Sequence, residues 1–558
     1  MNSAGIINIV PQDVRAGWLA SGAYPDLTVF DAFYRHVQRQ PQAYAVCSSE
    51  GRYQFDEIYQ HSLRLAAGMA EAGLVRGDVV VYQLSNSWRS VVIDMAAAAI
   101  GVVVCPIPPG RGRLDIESIL KRCQARAIIV ENQTVQGDVC QMIETLRPLM
   151  LALRVLISVG EVRDGWLSFD ELLNKPPLLS LPTISPDDPV RLLVSSGTES
   201  EPKLIAYTHN ALLGGRGQFM TQIKDGRDRF VPLYLMPLGS AFGSTASACV
   251  MAWLGGTVVI LPKFSVEAAL DAIGTFRPTH ILGVPTMFQR IAVDPRLASL
   301  DLSDLVALVS GGALIDEATI NRCYDAFGCQ FINLYGSADG VNCFNALTDN
   351  RQQVAQTVGQ PNPAICDIRI VDELHQPLPQ GEVGEITARG PITPMQYVNS
   401  PVLDETYRDQ QGWVYTGDLG CIDDDGYLNL MGRKKDVIIR GGANISPAQV
   451  EKLITCHPDV VSAACVAVPD HDLGQKVCLC LSLRDGGQPL SLNDVVSYLH
   501  DQGLEKHKSP EYISHFSQLP LSPAGKVDKK GLASLLACLA PARKETSLPQ
   551  NKMRGVQS

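Results

Sequence analysis

Leu193-Val-Ser-Ser-Gly-Thr-Glu-Ser-Glu-Pro-Lys203 carries an apolar stretch into a small, hydroxyl-rich loop, and a second apolar stretch follows. Such a loop can turn backbone N–H groups and hydroxyls toward phosphate oxygens. The GxxxxGK[ST] spacing of nucleoside-triphosphatase P-loops is absent, and the loop alone is as compatible with a surface turn as with phosphate binding. Three other segments offer groups of complementary chemistry. Asp418, closing Trp413-Val-Tyr-Thr-Gly-Asp418, is a carboxylate with acceptors for two adjacent O–H donors, or simply a β-turn acid after Gly. Gly432-Arg-Lys-Lys-Asp436 is a basic turn. Lys526, in Leu521-Ser-Pro-Ala-Gly-Lys526-Val-Asp-Lys-Lys530, puts a cation in a Gly-containing loop, where a lone lysine is normally a surface charge.

These groups need a scaffold, and the sequence describes one. Short β-branched runs recur at Val79–Gln83, Val102–Ile107, Ala127–Val130, Leu192–Ser195, Val258–Leu261, Ile281–Val284, Val306–Ser310 and Phe331–Leu334. Amphipathic segments of helical length lie between most of them, which predicts α/β units with largely parallel sheets covered on both faces. From about 365 to 431 the texture changes to short alternating strands with Gly and Pro turns, which predicts a β-rich subdomain. The pattern restarts after Gly432–Gly442. Ser446-Pro447-Ala448-Gln449 reads as a helix start, with Ser at the N-cap, Pro at the first helical position and Gln placed for a capping box. The expected organisation is a large domain over 1–432, a connection at 433–436, a small α+β domain over 437–540 and a polar, disordered tail over 541–558.

A chain of 558 residues with 46% hydrophobic and 19% charged residues builds a sizeable core and is neither disordered nor membrane-like. The uncharged run from Val231 to Pro262 is broken by Pro237, Gly239, Gly243 and Gly255-Gly256, so it reads as strand, turn, helix and strand in a buried layer. A net charge of −11 argues against nucleic acid as the main partner. Fifteen cysteines without CxxC pairing, and no charged-then-apolar opening segment, predict reduced thiols in the cytoplasm, mostly filling the core.

The loop at 193–203 resembles the SSGTTGxPK phosphate loop of the adenylate-forming superfamily, which includes acyl-CoA synthetases, aryl-acid adenylating enzymes, peptide-synthetase adenylation domains and beetle luciferases. The rest of that family's motif series follows in order, and the resemblance covers about residues 30–535. It implies that Ser195, Ser196, Gly197 and Thr198 hold the phosphates of ATP, with Lys203 aiding the outgoing phosphates. Val309-Ser-Gly311-Gly312-Ala313 would lie against adenine and the acyl pocket, and Asn333, Tyr335, Gly336 and Ser337 would contact the nucleotide, Tyr335 by stacking on adenine. In the same way Asp339, with Thr198, would hold Mg²⁺; Asp418 would accept both ribose hydroxyls; and Arg433 would approach the ribose. Lys435 would sit at the pivot about which the small mobile domain rotates between half-reactions. Lys526 would offset the charge building on the α-phosphate and carboxylate. The implied activity is an AMP-forming acid–thiol ligase that uses ATP, Mg²⁺ and either coenzyme A or the phosphopantetheine of a separate carrier protein. A stand-alone aryl-acid ligase loading a carrier, a non-catalytic nucleotide-binding homologue and a luciferase-type oxygenase are the alternatives.

Three departures from the pattern matter. Glu199-Ser200 replaces the usual Thr-Gly, bringing a carboxylate near polyphosphate and losing a glycine. Ala338-Asp339 replaces Thr-Glu in YGxTE, so metal contact through water is expected. Pro237-Leu-Gly-Ser240-Ala-Phe242-Gly243 lacks the His-Asn of enzymes that take 2-hydroxybenzoates. With Gly283, Val284 and Gly340, Ser240 and Phe242 outline a small, apolar acyl pocket for an aryl, alicyclic or short-to-medium aliphatic acid.

Overall fold

The computed structural model describes residues 5–134, 137–195, 202–313, 315–440, 443–470, 473–484, 488–521 and 527–537. The phosphate-loop residues 196–201, the Gly441-Gly442 pair, Lys526 and the expected tail over 541–558 lie outside them.

Val79-Val-Val-Tyr-Gln83 is buried at every position, because both faces of its sheet are covered. Val79 and Val81 point to one apolar cluster, with the helices Arg113–Arg122 and Val139–Leu146; Val80 and Tyr82 point to another. The second cluster is the central core, and it is shared with an opposing sheet through Tyr234, Val258, Ile260, Val309 and Ile332. Alternate residues of that opposing sheet, Leu233, Val259, Ile281, Leu308 and Phe331, face outward onto the helices Val266–Phe276, Pro285–Ala292 and Glu317–Phe327. The result is two stacked sheets with helices between and outside them. Helix Trp88–Ile100 lies in the middle layer, which is why it is apolar all round and buried at nearly every residue.

Each of these sheets has eight strands. Their centres are parallel, as the alternation of runs predicts, while antiparallel strands finish both edges of one sheet, Gly51–Gln54 and Asn342–Phe344, and one edge of the other, Leu204–Thr208 and Gln396–Tyr397. The uncharged run folds as strand Pro232–Tyr234, π-helical Ala246–Trp253 and strand Val258–Ile260. No helix among the described residues is long and apolar enough to cross a membrane. The described cysteines are free, and most are buried.

A third, four-stranded antiparallel sheet runs Asp367–Val371, Gly384–Arg389, Val414–Ile422 and Leu428–Arg433. A five-stranded sheet follows, starting at Ile438–Arg440 and centred on Gly474–Leu483, with Val460–Asp470 along one side of it; its two faces carry separate cores. The short turn Lys434–Asp436 is therefore the chain's passage from one sheet to the next. Helix Pro447–Ile454 has Ser446 at its N-cap and Pro447 first, but the capping box does not form. The Ser446 hydroxyl donates instead to Met431 O, across the passage, and Gln449 Oε1 accepts from Lys508 Nζ at 3.1 Å. A tertiary acceptor has displaced a local one.

Two core histidines give the fold a pH dependence. His209 and His280 are fully buried, and burial depresses them to about 3 and about 4, the latter partly opposed by the hydrogen bond to Ile223 O. Unfolded histidine titrates near 6.5. As pH falls below about 6.5 the unfolded chain binds protons that the folded chain refuses, so stability present above 6.5 is lost, by up to about 1.4 kcal/mol per pH unit for each residue. The loss continues to about pH 4 for His280 and about pH 3 for His209. The urea midpoint is expected to drop between pH 7.5 and 5.5, with a shallower drop in His280→Gln. An unchanged midpoint would contradict this.

Candidate active site

The strands of the two large sheets end where the sequence places its chemistry. Strand Pro189–Val194 hands over to Ser195, whose N–H donates to Lys203 O at 3.0 Å, while its hydroxyl accepts from Lys203 N at 3.2 Å. Those two bonds close the neck of the phosphate loop. Ser196, Gly197 and Thr198 lie outside the described residues. Two arginines that composition alone does not single out hold the neck from outside: Arg111 Nη2 donates to Ser195 O at 3.1 Å, and Arg122 Nη1 to Pro202 O. Both belong to the segment around helix Arg113–Arg122, and the only sequence signal is the basic Gly110-Arg-Gly-Arg113 loop after an apolar strand.

Lys203 points away from the neck into an aromatic corner. Its Nζ lies 3.4 Å from the Tyr407 ring centroid, 5.3 Å from that of Tyr397 and 4.0 Å from Asp339 Oδ1. Asp339 Oδ1 also accepts from Tyr397 O–H at 2.6 Å. Burial, and then the Asp339 carboxylate, push the Tyr397 phenol well above its ordinary range, so it stays a proton donor. Neither tyrosine carries a sequence signal, because they reach the site from a distant stretch. Gly340 follows with φ +101°; a Cβ there would meet Pro394 Cδ at 2.5 Å, so the turn bearing Asp339 depends on glycine.

The second cluster is built on Asp418, which is 8% exposed. Tyr335, near the end of strand Gln330–Gly336, donates to Asp418 Oδ2 at 2.8 Å, and Arg433 Nε lies 3.0 Å from Oδ1. Asp418 and Arg433 are register partners on adjacent antiparallel strands, so the pairing is a product of sheet geometry. Gly417 at φ +71° makes the preceding turn, and its N–H donates to Glu385 Oε1 at 3.0 Å. The other oxygen of Glu385 accepts from Lys434 Nζ, also at 3.0 Å. One buried carboxylate thus joins the Asp418 turn to the passage that contains Lys435. Each Asp418 oxygen has two acceptor directions, so the tyrosine and arginine orient the carboxylate without exhausting it.

Gly311, Gly312 and Ala313 follow at the end of strand Ala307–Gly311, and Gly283 and Val284 at the end of the neighbouring strand. Asn333 turns its amide to Thr357 O at 3.1 Å, and Ser337 Oγ accepts from Asp339 N at 3.1 Å. Ser240 is committed to its own loop, donating to Pro237 O at 2.7 Å and accepting from Gly243 N at 3.0 Å. Phe242 packs on the central core. The wall outlined by these residues is not wholly apolar: the guanidinium of Arg216 stands behind it, donating to Ala241 O at 3.2 Å and to Ser337 O at 3.1 Å.

Asp339 is an acidic group beside Lys203 of the phosphate-loop neck, and no cluster of three or more His, Cys, Asp or Glu able to hold a metal occurs among the described residues. One carboxylate fits Mg²⁺, which keeps several waters and leans on substrate phosphates rather than on an all-protein cage.

Residues 33–398 match the family model for the AMP-binding enzyme, and 449–526 the model for the AMP-binding enzyme C-terminal domain. The medium-chain fatty-acid–CoA ligase of Escherichia coli K12 is 29% identical over 522 residues, 92% of this chain and 91% of that one. The vibriobactin-specific 2,3-dihydroxybenzoate-AMP ligase of Vibrio cholerae is 29% identical over 525 residues, 94% and 96% of the two chains. Among solved structures, the amide bond synthetase McbA from Marinactinospora thermotolerans superimposes with a TM-score of 0.80 at 27% identity, covering 91% of this chain and 99% of that one.

Proposed function

The chain belongs to the AMP-binding enzyme family and is an AMP-forming ligase, and on that premise we propose that it activates a carboxylic acid as its acyl-adenylate and passes the acyl group to a thiol. The observation that carries the reading is the pair of clusters at the strand ends, Tyr335–Asp418–Arg433 and Lys203–Asp339–Tyr397, one suited to a ribose and the other to a polyphosphate. Asp418 accepts the ribose hydroxyls, with Tyr335 and Arg433 fixing its direction. Asp339 would hold Mg²⁺, which when bound would supply positive charge to offset that of the phosphates. Lys203, Arg111 and Arg122 set the positive surroundings of a loop that Glu199 and Glu201 make more acidic. Lys526 stabilises the charge that builds as the carboxylate oxygen bonds to the α-phosphorus and pyrophosphate leaves.

The acceptor is coenzyme A or the phosphopantetheine of a separate carrier protein, and the protein works in the cytoplasm. The acid is aryl, alicyclic or short-to-medium aliphatic. Incubation with ATP, Mg²⁺, an acid panel and either thiol tests this: AMP, pyrophosphate and a thioester are expected, and absence of pyrophosphate with every acid would sink the reading.

The turn Lys434–Asp436 is the pivot between an adenylating and a thiol-accepting arrangement, because it is the connection between two separately cored parts. Lys435→Pro fixes φ and removes an N–H at that position. Thioester formation is expected to fall at least tenfold more than adenylate formation when the two steps are timed separately. Equal losses would show that the turn is not a pivot.

A further inference from the structure

Two buried arginines hold the loop Pro237–Gly243, and they differ in one respect. Arg191, on strand Pro189–Val194, donates from Nη2 to Leu238 O at 3.1 Å, and its Nη1 pairs with Asp94 Oδ2 at 2.7 Å. Asp94 also accepts from Tyr82 O–H at 2.9 Å and from the Ser247 hydroxyl, so the charge is balanced inside the core. Arg216 ends the π-helical turn Ala211–Arg216 and is equally inaccessible, at 6% exposure. Its Nη1 donates to Ala241 O at 3.2 Å, and its Nη2 to Ser337 O and Tyr207 Oη, both at 3.1 Å. The guanidinium stacks over the Tyr207 ring, 4.8 Å from the centroid. Its Nε, like that of Arg191, is buried without an acceptor; what sets it apart is that no carboxylate pairs with it among the described residues.

A buried cation whose partners are all neutral carries a desolvation cost of several kcal/mol that carbonyls and a phenol offset only in part. The same loop shows how this protein balances such a charge when it is purely structural: it supplies Asp94. π-Helical turns also concentrate at functional sites. Arg216 lies between Ala241, beside Ser240 and Phe242 on the wall expected to face the acid, and Ser337, two residues before Asp339. Its guanidinium, lacking a counter-charge, therefore bridges the acid and nucleotide segments through Nη1 and Nη2.

On the reading of this site as an acid-activating one, we propose that Arg216 is a specificity-determining residue whose missing counter-charge arrives with the substrate. The acid activated is a dicarboxylic acid. One carboxylate attacks the α-phosphorus, forming the acyl–phosphate bond as the α–β bridging bond breaks and pyrophosphate departs. The other carboxylate stays ionised against the guanidinium, a charge-assisted pairing that arginine's fork favours.

The test is acid-dependent ATP–pyrophosphate exchange with matched pairs: glutarate against pentanoate, adipate against hexanoate, isophthalate against benzoate. The native enzyme is expected to prefer at least one dicarboxylate over its partner by about 100-fold or more in kcat/KM. Arg216→Met should cost that dicarboxylate at least 30-fold more than it costs the monocarboxylate, and Arg216→Lys should restore part of the preference. Monocarboxylates used as well as dicarboxylates by the native enzyme, or equal losses in Arg216→Met, would overturn the inference and leave the arginine a brace. The native ratio decides even if the methionine variant does not fold. Exchange with no acid of either class would instead overturn the adenylation reading, and this inference with it.

Discussion

Lys526→Ala is expected to lower acid-dependent ATP–pyrophosphate exchange roughly 10²–10³-fold, the scale of losing one positioned charge-stabilising group at a reacting centre. The described residues on either side of Lys526 are held in place. Leu521 bridges to Val527, Asp528 N–H donates to Pro520 O at 2.8 Å, and Lys529 Nζ pairs with the half-buried Glu451 at 2.7 Å. Pre-formed acyl-adenylate supplied to the variant should still give thioester at near the native rate, since the charge on the α-phosphate matters to the first step. Exchange within threefold of native in Lys526→Ala would remove the lysine from the mechanism whatever the substrate.

Asp418→Ala is the second large effect. The carboxylate takes one bond from Tyr335, one contact from Arg433 and, in the proposed complex, two from the ribose. Losing two charge-assisted hydrogen bonds of about 1.5–3 kcal/mol each lowers kcat/KM for ATP by roughly 10²–10⁴-fold. The variant is also slightly less stable, because Arg433 loses its nearest carboxylate, a loss that solvent and Asp436 partly screen. Tyr335→Phe separates the two effects: it removes an orienting donor and leaves the ribose acceptors, so its loss should be at least tenfold smaller. Equivalent losses in the two variants would mean that Asp418 acts only through the tyrosine.

The central strands were legible because a parallel sheet covered on both faces demands uninterrupted β-branched runs, as at Val79–Gln83. The edges were not. Gly51–Gln54 closes a local hairpin with Tyr44–Ser48 but is short and mostly polar, and Gln396–Tyr397 is two residues paired with the distant strand Leu204–Thr208, so no apolar run marks either. The helix start at Ser446-Pro447 was found, but its capping box was not formed, since the hydroxyl has a carbonyl across the chain's passage between sheets. At the site, Asp418 and Arg433 are singled out by the resemblance of their segments to a known motif series, and the structure pairs them across adjacent strands. Tyr397, Arg111 and Arg122 act through contacts made only after folding. The small, apolar pocket read from Pro237–Gly243 omitted Arg216, because a single arginine in Ala211-Leu-Leu-Gly-Gly-Arg216 gives no sign in sequence of which loop it will reach.

The most direct test of the central claim follows the oxygen atoms. An acid substrate labelled with ¹⁸O in both carboxylate positions, turned over with unlabelled ATP, is predicted to yield AMP carrying one ¹⁸O on its phosphorus, because the acid's oxygen bonds to the α-phosphorus and remains there when the acyl group is transferred. Unlabelled AMP, or ADP and phosphate in its place, would contradict activation through an acyl-adenylate.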